Sequence, residues 1–347
     1  MPPELTDGVV RLRAWNERDV AFVEAARGET PWERLTLAGA LRRGDGVSLV
    51  VAGAASDEPL GLVFMPDRPQ RGVVGIAYWV APPARGRGVG TRAVRLAADW
   101  ALAQPGTVRV EAWVSPGNVG SQRLLASAGF TREGLLRNFT DFGDRRSDVI
   151  VFSRVALRIF LAGATGVLGV RLVPLLVAQH HEVAAMTRSP GKTPELARLG
   201  AEPVVCDVYD AEGLKDAVAA SRADVVMHQL TDLPDDRSEL GAYAARNDRI
   251  RGEGTRNLVA AADGRKVYAQ SIAWEMPPER AGTIAAHERM VLDTGGVVLR
   301  YGQLYGPGTY YEGDPPPPPR VAVDAAVERT VALLGAEPGI YEVVEGG

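Results

Sequence analysis

The sequence predicts an α/β protein made of two successive units, and three observations carry that expectation. Two segments run strand, glycine-rich turn, helix: Gly75–Val80 into Arg85-Gly86-Arg87-Gly88-Val89-Gly90, and Ile159–Ala162 into Gly163-Ala164-Thr165-Gly166-Val167-Leu168-Gly169. The 347 residues exceed what one hydrophobic core usually organises. The pattern also changes near residues 155–158, where Asp148–Val155 reads as a closing strand and Leu157–Ala162 as a new first strand. Units at 1–156 and 157–347 are therefore expected. With almost no linker between them, they should be held in a restricted relative orientation.

Composition narrows the function classes. A hydrophobic share of 46% beside 24% charged residues suits an ordinary globular chain, and the apolar segments are too short or too interrupted to span a bilayer. The start, Met1-Pro2-Pro3-Glu4-Leu5, lacks the basic stretch and apolar run of a secretion signal, so a cytoplasmic location is expected and no membrane partner. Cys206 stands alone, which excludes an internal disulfide and a multi-cysteine metal site. A net charge of −4 argues against nucleic acid as a partner. Only Lys192, Lys215 and Lys266 are lysines, so the many arginines read as a coding bias, and a homodimer is left open.

In the first unit, glycines from Arg85 to Gly90 let successive N–H groups converge on an anion, and the helix from Thr91 to Ala103 adds the positive end of its dipole. Such a turn alone is equally an ordinary strand-to-helix connection. The segments downstream are more specific: strand Val108–Val114, then Asn118-Val119-Gly120-Ser121 opening a second helix that ends at Ala128-Gly129-Phe130, then Glu133-Gly134 and Gly143-Asp144-Arg145-Arg146-Ser147-Asp148. With Val10-Arg11-Leu12-Arg13, this order resembles the RimJ/RimL branch of the GNAT acetyltransferases over residues 8–155.

That resemblance implies a mixed, mostly antiparallel sheet with helices, and acetyl-CoA as cofactor. It implies that Trp79 and Val80 pair with the pantetheine arm. The amides of Arg85, Gly86, Arg87, Gly88, Val89, Gly90 and Thr91 would hold the pyrophosphate, and Asn118 would meet the thiol end. Leu125 stands where many GNAT enzymes carry a tyrosine acid, which leaves Ser121 as the acid candidate; a helix-capping hydroxyl is the other reading. Glu111 is the base candidate. Alternation places it with Arg109 and Trp113, opposite Val108, Val110 and Ala112, where a solvent-facing carboxylate is the other reading. This half has no His and no Lys. Deprotonating a lysine-like amine costs about 4 to 5 kcal/mol at pH 7, against about 1 to 1.4 for an α-amine. An α-amine of a peptide, or an amino-sugar-like small molecule, is therefore the expected acceptor.

In the second unit, strands at 182–187, 203–206, 224–228, 266–270 and 297–300 alternate with helical stretches, the pattern of a doubly wound parallel sheet. Gly163, Gly166 and Gly169 suit a tight turn, an open pyrophosphate approach and close helix packing, with Thr165, Val167 and Leu168 between them. The spacing, with Gly254-Thr255-Arg256-Asn257-Leu258, Gln270-Ser271-Ile272 and Arg300–Gly308, resembles the NAD-dependent epimerase/dehydratase-like group of extended short-chain dehydrogenases. About twenty residues past the first glycine, an NAD site would carry an acid. Thr187-Arg188-Ser189 stands there, and Arg188 suits a 2′-phosphate, so NADP(H) is expected over NAD(H); a solvent-facing Arg is the plain alternative. By resemblance Asp207 and Val208 border the adenine, and Ser271 stands where the family's serine belongs. The family's Tyr and Lys four residues apart are missing, and the substrate-enclosing part is short. Pro315–Pro319 reads as a polyproline II rod on the surface. His180, His181 and His287 read as surface residues, His228 as lining the cleft, and no spacing suggests a metal.

Three functional readings stand. They are an N-acetyltransferase with a dinucleotide-binding module, a bifunctional acetyltransferase and NADP-dependent reductase or epimerase, and a nucleotide-sensing interaction protein in which neither half turns over.

Overall fold

A computed structural model describes residues 4–19, 21–22, 46–141 and 145–346, and its contacts separate Met1–Ala156 from Leu157–Gly347. Met1–Pro3, Gly143 and Asp144, which belong to the sequence motifs, lie outside the described residues.

The first unit is built on period-two strands. Every second residue of Val10–Arg13 and of Arg109–Val114 is buried, the mark of a strand with one covered face. One antiparallel sheet runs β1 (Leu5–Thr6), β2 (Val10–Arg13), β3 (Gly46–Gly53), β4 (Pro59–Pro66) and β6 (Ala77–Val80). A second runs β5 (Val73–Gly75), β7 (Arg109–Val114), β9 (Arg146–Val155) and β8 (Thr131–Asp141), with β5 parallel to β7 and the other pairs antiparallel. The stretch expected as one strand from Gly75 to Val80 is thus broken at Ile76, whose N–H turns to Glu111 O at 2.8 Å. Helix α1 (Val89–Leu102) lays Ala93, Val94, Ala97, Ala98 and Ala101 into a core with Leu12, Val63 and Val110; the small side chains let the helix sit close to the sheet. Helix α2 (Val119–Ser127) adds Leu125, fully buried in the same core. Val108, expected on the covered face, precedes β7 and is half exposed.

The second unit contains β10 (Arg158–Ala162), β11 (Glu182–Thr187), β12 (Glu202–Val205), β13 (Val225–His228), β14 (Lys266–Ile272), β15 (Val297–Tyr301) and β18 (Gly339–Val343). They form one seven-stranded parallel sheet in the order β12-β11-β10-β13-β14-β15-β18. The short strands β16 (Gln303–Tyr305) and β17 (Arg320–Ala322) pair with each other in a separate parallel ladder. Along β10 the faces alternate: Ile159 and Leu161 enter one core, Phe160 and Ala162 the other. Burial on both faces is what a parallel sheet requires, and each fully buried Leu or Phe contributes about 1.5–3 kcal/mol. The covering helices are α3 (Gly169–Ala178), α4 (Thr193–Arg198), α5 (Ala211–Ser221), α6 (Leu240–Arg249), α7 (Thr255–Ala262), α8 (Pro278–Leu292) and α9 (Val323–Ala332). Between α6 and α7 the chain stays helical but widens into a π turn, Ile250–Gly254. Strand order reverses between β10 and β13, the switch point at which open α/β sheets bind ligands beyond their carboxyl ends.

Two expectations need correction. Pro315–Pro319 is not a free surface rod: Pro316 is buried, and the carbonyls of Pro316, Pro317 and Pro319 accept from Arg320 Nη1, Gln303 Nε2 and Gln303 N. His287 is not a surface residue but is fully buried on α8, because its ring finds partners on both nitrogens.

Candidate functional site

In the first unit β5 and β7 stay paired as far as Gly75 opposite Glu111. Beyond that point β6 continues beside β4, with Trp79 opposite Leu62 and Val80 opposite Gly61, while β7 continues beside β9. Two neighbouring strands therefore diverge from an apex at Ile76 and Glu111. After β6 a short turn, Pro82–Ala84, leads to Gly86 at φ +74° and Gly88 at φ +77°. A Cβ on either would meet nothing within 4 Å, so glycine is needed there for backbone conformation and not for space.

The first backbone bond of α1 runs from Arg92 N–H to Gly88 O, which leaves the amides of Val89, Gly90 and Thr91 without an intrahelical acceptor. No side chain caps this end and no acid lies in its first turn. A positive helix end next to an exposed glycine turn fits a pyrophosphate, and bound phosphate would satisfy those amides. Arg85 directs its amide to Pro82 O and its Nε to Val80 O at 2.9 Å; Arg87 is exposed. Gly90 has a different duty. Its Cβ would stand 2.5 Å from Leu124 Cδ1 and 3.2 Å from Val80 Cγ2, so its absence lets α1 close onto α2 and β6.

Asn118 caps α2, its Oδ1 accepting from Ser121 N–H at 3.0 Å. The cap position is therefore filled, and the Ser121 hydroxyl is committed elsewhere: Tyr78 Oη lies 2.6 Å from Ser121 Oγ. Burial holds the Tyr78 phenol well above its ordinary pKa, with the bond to Ser121 a smaller opposing effect, so it stays protonated. Tyr78 is the residue that sequence reasoning missed. Its neighbours Trp79 and Val80 marked the strand, but a partner 43 residues away carries no local signal.

Glu111 is half-buried between two guanidinium groups, Oε1 3.4 Å from Arg68 Nε and Oε2 3.2 Å from Arg109 Nε. Arg109 also grips Glu133 with both terminal nitrogens, at 2.7 and 2.6 Å, and Arg68 stacks 3.8 Å above the Trp113 ring. Among the described residues no hydrogen bond joins Glu111 to Ser121.

In the second unit Gly163 lies at φ +93°, where a Cβ would stand 2.6 Å from the Gln229 carbonyl; at Gly169 it would stand 2.2 Å from Gly163 O. Both glycines permit close packing. At Gly166 a Cβ would meet only Gly163 O at 3.4 Å, so that face of the turn is open; Thr165, Val167 and Leu168 line the same turn, ahead of an α3 N-terminus with no cap and no acid. Buried Gln229 Oε1 beside Gly163 has no hydrogen-bond partner. These features fit a dinucleotide. Thr187 Oγ1 ties down Ser189 N–H at 3.2 Å, and exposed Arg188 at the end of β11 has no side-chain partner among the described residues. Asp207 is exposed with Oδ1 on Tyr209 N–H, and the carbonyl of buried Val208 holds Asn257 Nδ2 at 2.9 Å.

Ser271 is buried and donates to Glu288 Oε1 at 2.7 Å, while Arg300 binds both oxygens of Glu288 at 2.8 and 2.5 Å. Beside it, His228 Nε2 lies 3.0 Å from Thr255 Oγ1, which lies 2.8 Å from His287 Nδ1; His287 Nε2 reaches Gln270 O at 2.8 Å. Burial pushes both imidazoles below their ordinary range and so keeps them neutral. Among the described residues no group of three or more His, Cys, Asp or Glu converges on a metal position, and no helix is long and apolar enough to cross a membrane.

Residues 2–131 match the family model for the acetyltransferase (GNAT) domain, and residues 163–270 the model for NAD(P)H-binding domains. The 3-diazoavenalumate denitrifying reductase of a Streptomyces species is 39% identical over 185 residues, a match covering 46% of this chain and 60% of the reductase. Among solved structures, Mycobacterium smegmatis RimJ in complex with CoA-disulfide is 24% identical, with 44% of this chain and 86% of that one covered at a TM-score of 0.36. Thermus thermophilus UDP-glucose 4-epimerase in complex with NAD is 21% identical, with 55% and 78% covered at a TM-score of 0.46. The chain is thus a fusion of a GNAT acetyltransferase domain with an NAD(P)H-binding Rossmann domain.

Proposed function

We propose that the first unit is an acetyl-CoA-dependent N-acetyltransferase acting on a primary amine, the α-amine of a peptide or an amino-sugar-like small molecule. The observation that carries this reading is the divergence of β6 from β7 beside an uncapped helix end with two left-handed glycines. Amides from Gly86 to Thr91 hold the pyrophosphate, the edge strand β6 at Trp79 and Val80 takes the pantetheine arm, and Asn118 sits at its thiol end. Acetyl-CoA supplies the activated acetyl group.

Ser121 is the proton donor to the departing sulfur. Tyr78 Oη lies 2.6 Å from Ser121 Oγ, and with the protonated phenol as donor the serine's own hydrogen turns toward the cleft. At the apex, Glu111 takes the amine proton through water, since both its oxygens lie against arginines. An acceptor of modest pKa suits a site with no histidine or lysine. The test is CoA release with α-amines, amino sugars and an ε-amine in parallel; clear preference for the ε-amine would overturn the acceptor assignment.

For the second unit the reading is NADP(H) binding, with the diphosphate on Gly163–Gly169 and the 2′-phosphate on Arg188. NADP(H), when bound, supplies or accepts a hydride. The name of the Streptomyces relative favours the bifunctional alternative, in which this unit is a reductase. Reducing a carbonyl would need a proton donor for the resulting alkoxide, and the Tyr and Lys that commonly serve are absent from this sequence. A substrate reduced at a nitrogen-centred cation makes no alkoxide and asks for no such donor. NADPH oxidation with substrates of both kinds separates these cases.

A further inference from the structure

Arg251, in the π turn between α6 and α7, is only 5% exposed, and its side chain makes no hydrogen bond or ion pair among the described residues. Its Nε and Nη1 are sealed from solvent without a partner. Burial brings its pKa down to about 10, with Arg280 adding to the effect, so the group is still a cation at pH 7. A buried, unpaired guanidinium is costly, and native proteins rarely keep one without a partner.

The neighbouring carboxylates are already committed. Asp248 is bound by Arg280, with contacts from 2.7 to 3.2 Å, and Glu288 by Arg300 and Ser271. His228 and His287, held neutral, add no charge. Asp248 and Glu288 are thus each bonded by another guanidinium, and Arg251 is left without a carboxylate of its own. Its location is also informative. Thr255, at the start of α7, bonds His228 at the carboxyl end of β13, and His228 pairs with Ala162 just before Gly163. The π turn therefore lies on the side of the sheet where nucleotide ligands bind, one strand along from the glycine turn.

We propose that Arg251 receives the anionic group, a carboxylate or phosphate ester, of a small-molecule ligand bound beside the dinucleotide. This rests on reading the unit as a nicotinamide-dinucleotide site. The acid would meet the guanidinium from the side of Nη2, the nitrogen that is not sealed, give Arg251 the partner it lacks and place the rest of the ligand near Ser271.

The test uses the full chain, with inorganic phosphate and benzoate as separate probes, read by calorimetric titration and thermal melting. The wild type is expected to bind at least one probe and melt higher with it; which probe binds tighter distinguishes a phosphate from a carboxylate ligand. Arg251→Met should bind it at least about tenfold more weakly, the loss expected when a charge-assisted hydrogen bond is removed, and without the probe should melt no lower than wild type. Arg251→Lys, with charge kept and fork lost, should fall between. Equal probe affinity in all three proteins overturns the proposal. So does an Arg251→Met protein that fails to fold or melts far lower, which would reveal an internal partner, or one that loses NADPH affinity but keeps probe affinity. Arg251-dependent probe binding in a wild type that binds no NADPH would overturn the dinucleotide reading and leave the anion site standing.

Discussion

Tyr78 Oη and Ser121 Oγ, on strand β6 and on the first turn of helix α2, stand 2.6 Å apart and join the two elements. If the phenol orients the serine, Tyr78→Phe should lower kcat by about three- to tenfold with little change in KM for acetyl-CoA. Ser121→Ala should cost more, towards the ~10²-fold of a lost proton donor. The double variant should then be no slower than Ser121→Ala alone, because both changes remove one functional unit. Additive losses in steady-state kinetics would mean that the two hydroxyls act separately.

Gly90 offers a test of cofactor binding that leaves the chemistry untouched. An added methyl would press on Leu124 Cδ1 at 2.5 Å, which must turn aside, and on Val80 Cγ2 at 3.2 Å, which must give by a few tenths of an ångström. Gly90→Ala should change the stability of the first unit by no more than about 1 kcal/mol, the helix gain offsetting the repacking, and raise KM for acetyl-CoA several-fold as Leu124 and Val80 shift beside the loop. Denaturant unfolding and a CoA titration read the two effects; an unchanged KM would detach the loop from cofactor binding.

Both glycine turns and most strands were legible in the sequence because their signals are local: alternation over six residues, or glycines at a fixed offset from a strand. The features that escaped depend on distant partners. Ile76 breaks its strand because Glu111 O claims its N–H. Tyr78 gains meaning only from Ser121, and Ser121 loses the capping reading only because Asn118 fills that place. Arg251 lies in the charged run Asp248-Arg249-Ile250-Arg251-Gly252-Glu253, where nothing local marks the arginine that the π turn buries. His287, beside Glu288 and Arg289, reads as a surface residue because its partners Thr255 and Gln270 are distant in sequence.

At the end of β11, Arg188 is exposed and without a side-chain partner among the described residues, so its charge is available to a ligand. Arg188→Glu should weaken NADPH binding by about ten- to a hundredfold, the scale of a lost charge-assisted contact, and leave NADH nearly unchanged. Fluorescence titrations with both dinucleotides decide this. Equal losses for the two would mean that Arg188 does not meet the 2′-phosphate.

The buried imidazoles set the acid sensitivity of the Rossmann unit. Burial lowers the pKa of His228 most, with His287 and Arg251 adding to it; for His287 burial again leads, Arg251 assists, and the Gln270 carbonyl and Glu288 oppose. In the unfolded chain both titrate near the ordinary value of about 6.5. Folding therefore selects the neutral form, and the stability this confers is complete above about pH 6.5 and is lost as pH falls toward the depressed folded values, by up to about 1.4 kcal/mol per pH unit for each ring. Glu288 acts lower on the scale. Burial alone would raise its pKa, but Arg300 and Ser271 outweigh that and hold it down, so its contribution fades only below about pH 4.5, near the unfolded carboxyl value. Melting curves between pH 7.5 and 4 should thus show loss of stability beginning near neutrality and not first at carboxylate pH. His287→Gln should make the loss of stability below pH 6.5 shallower. A wild-type midpoint that stays flat from pH 7 to 5.5 would mean that the histidines gain protons without disturbing the fold, and that the polar cluster around Thr255 is open to water.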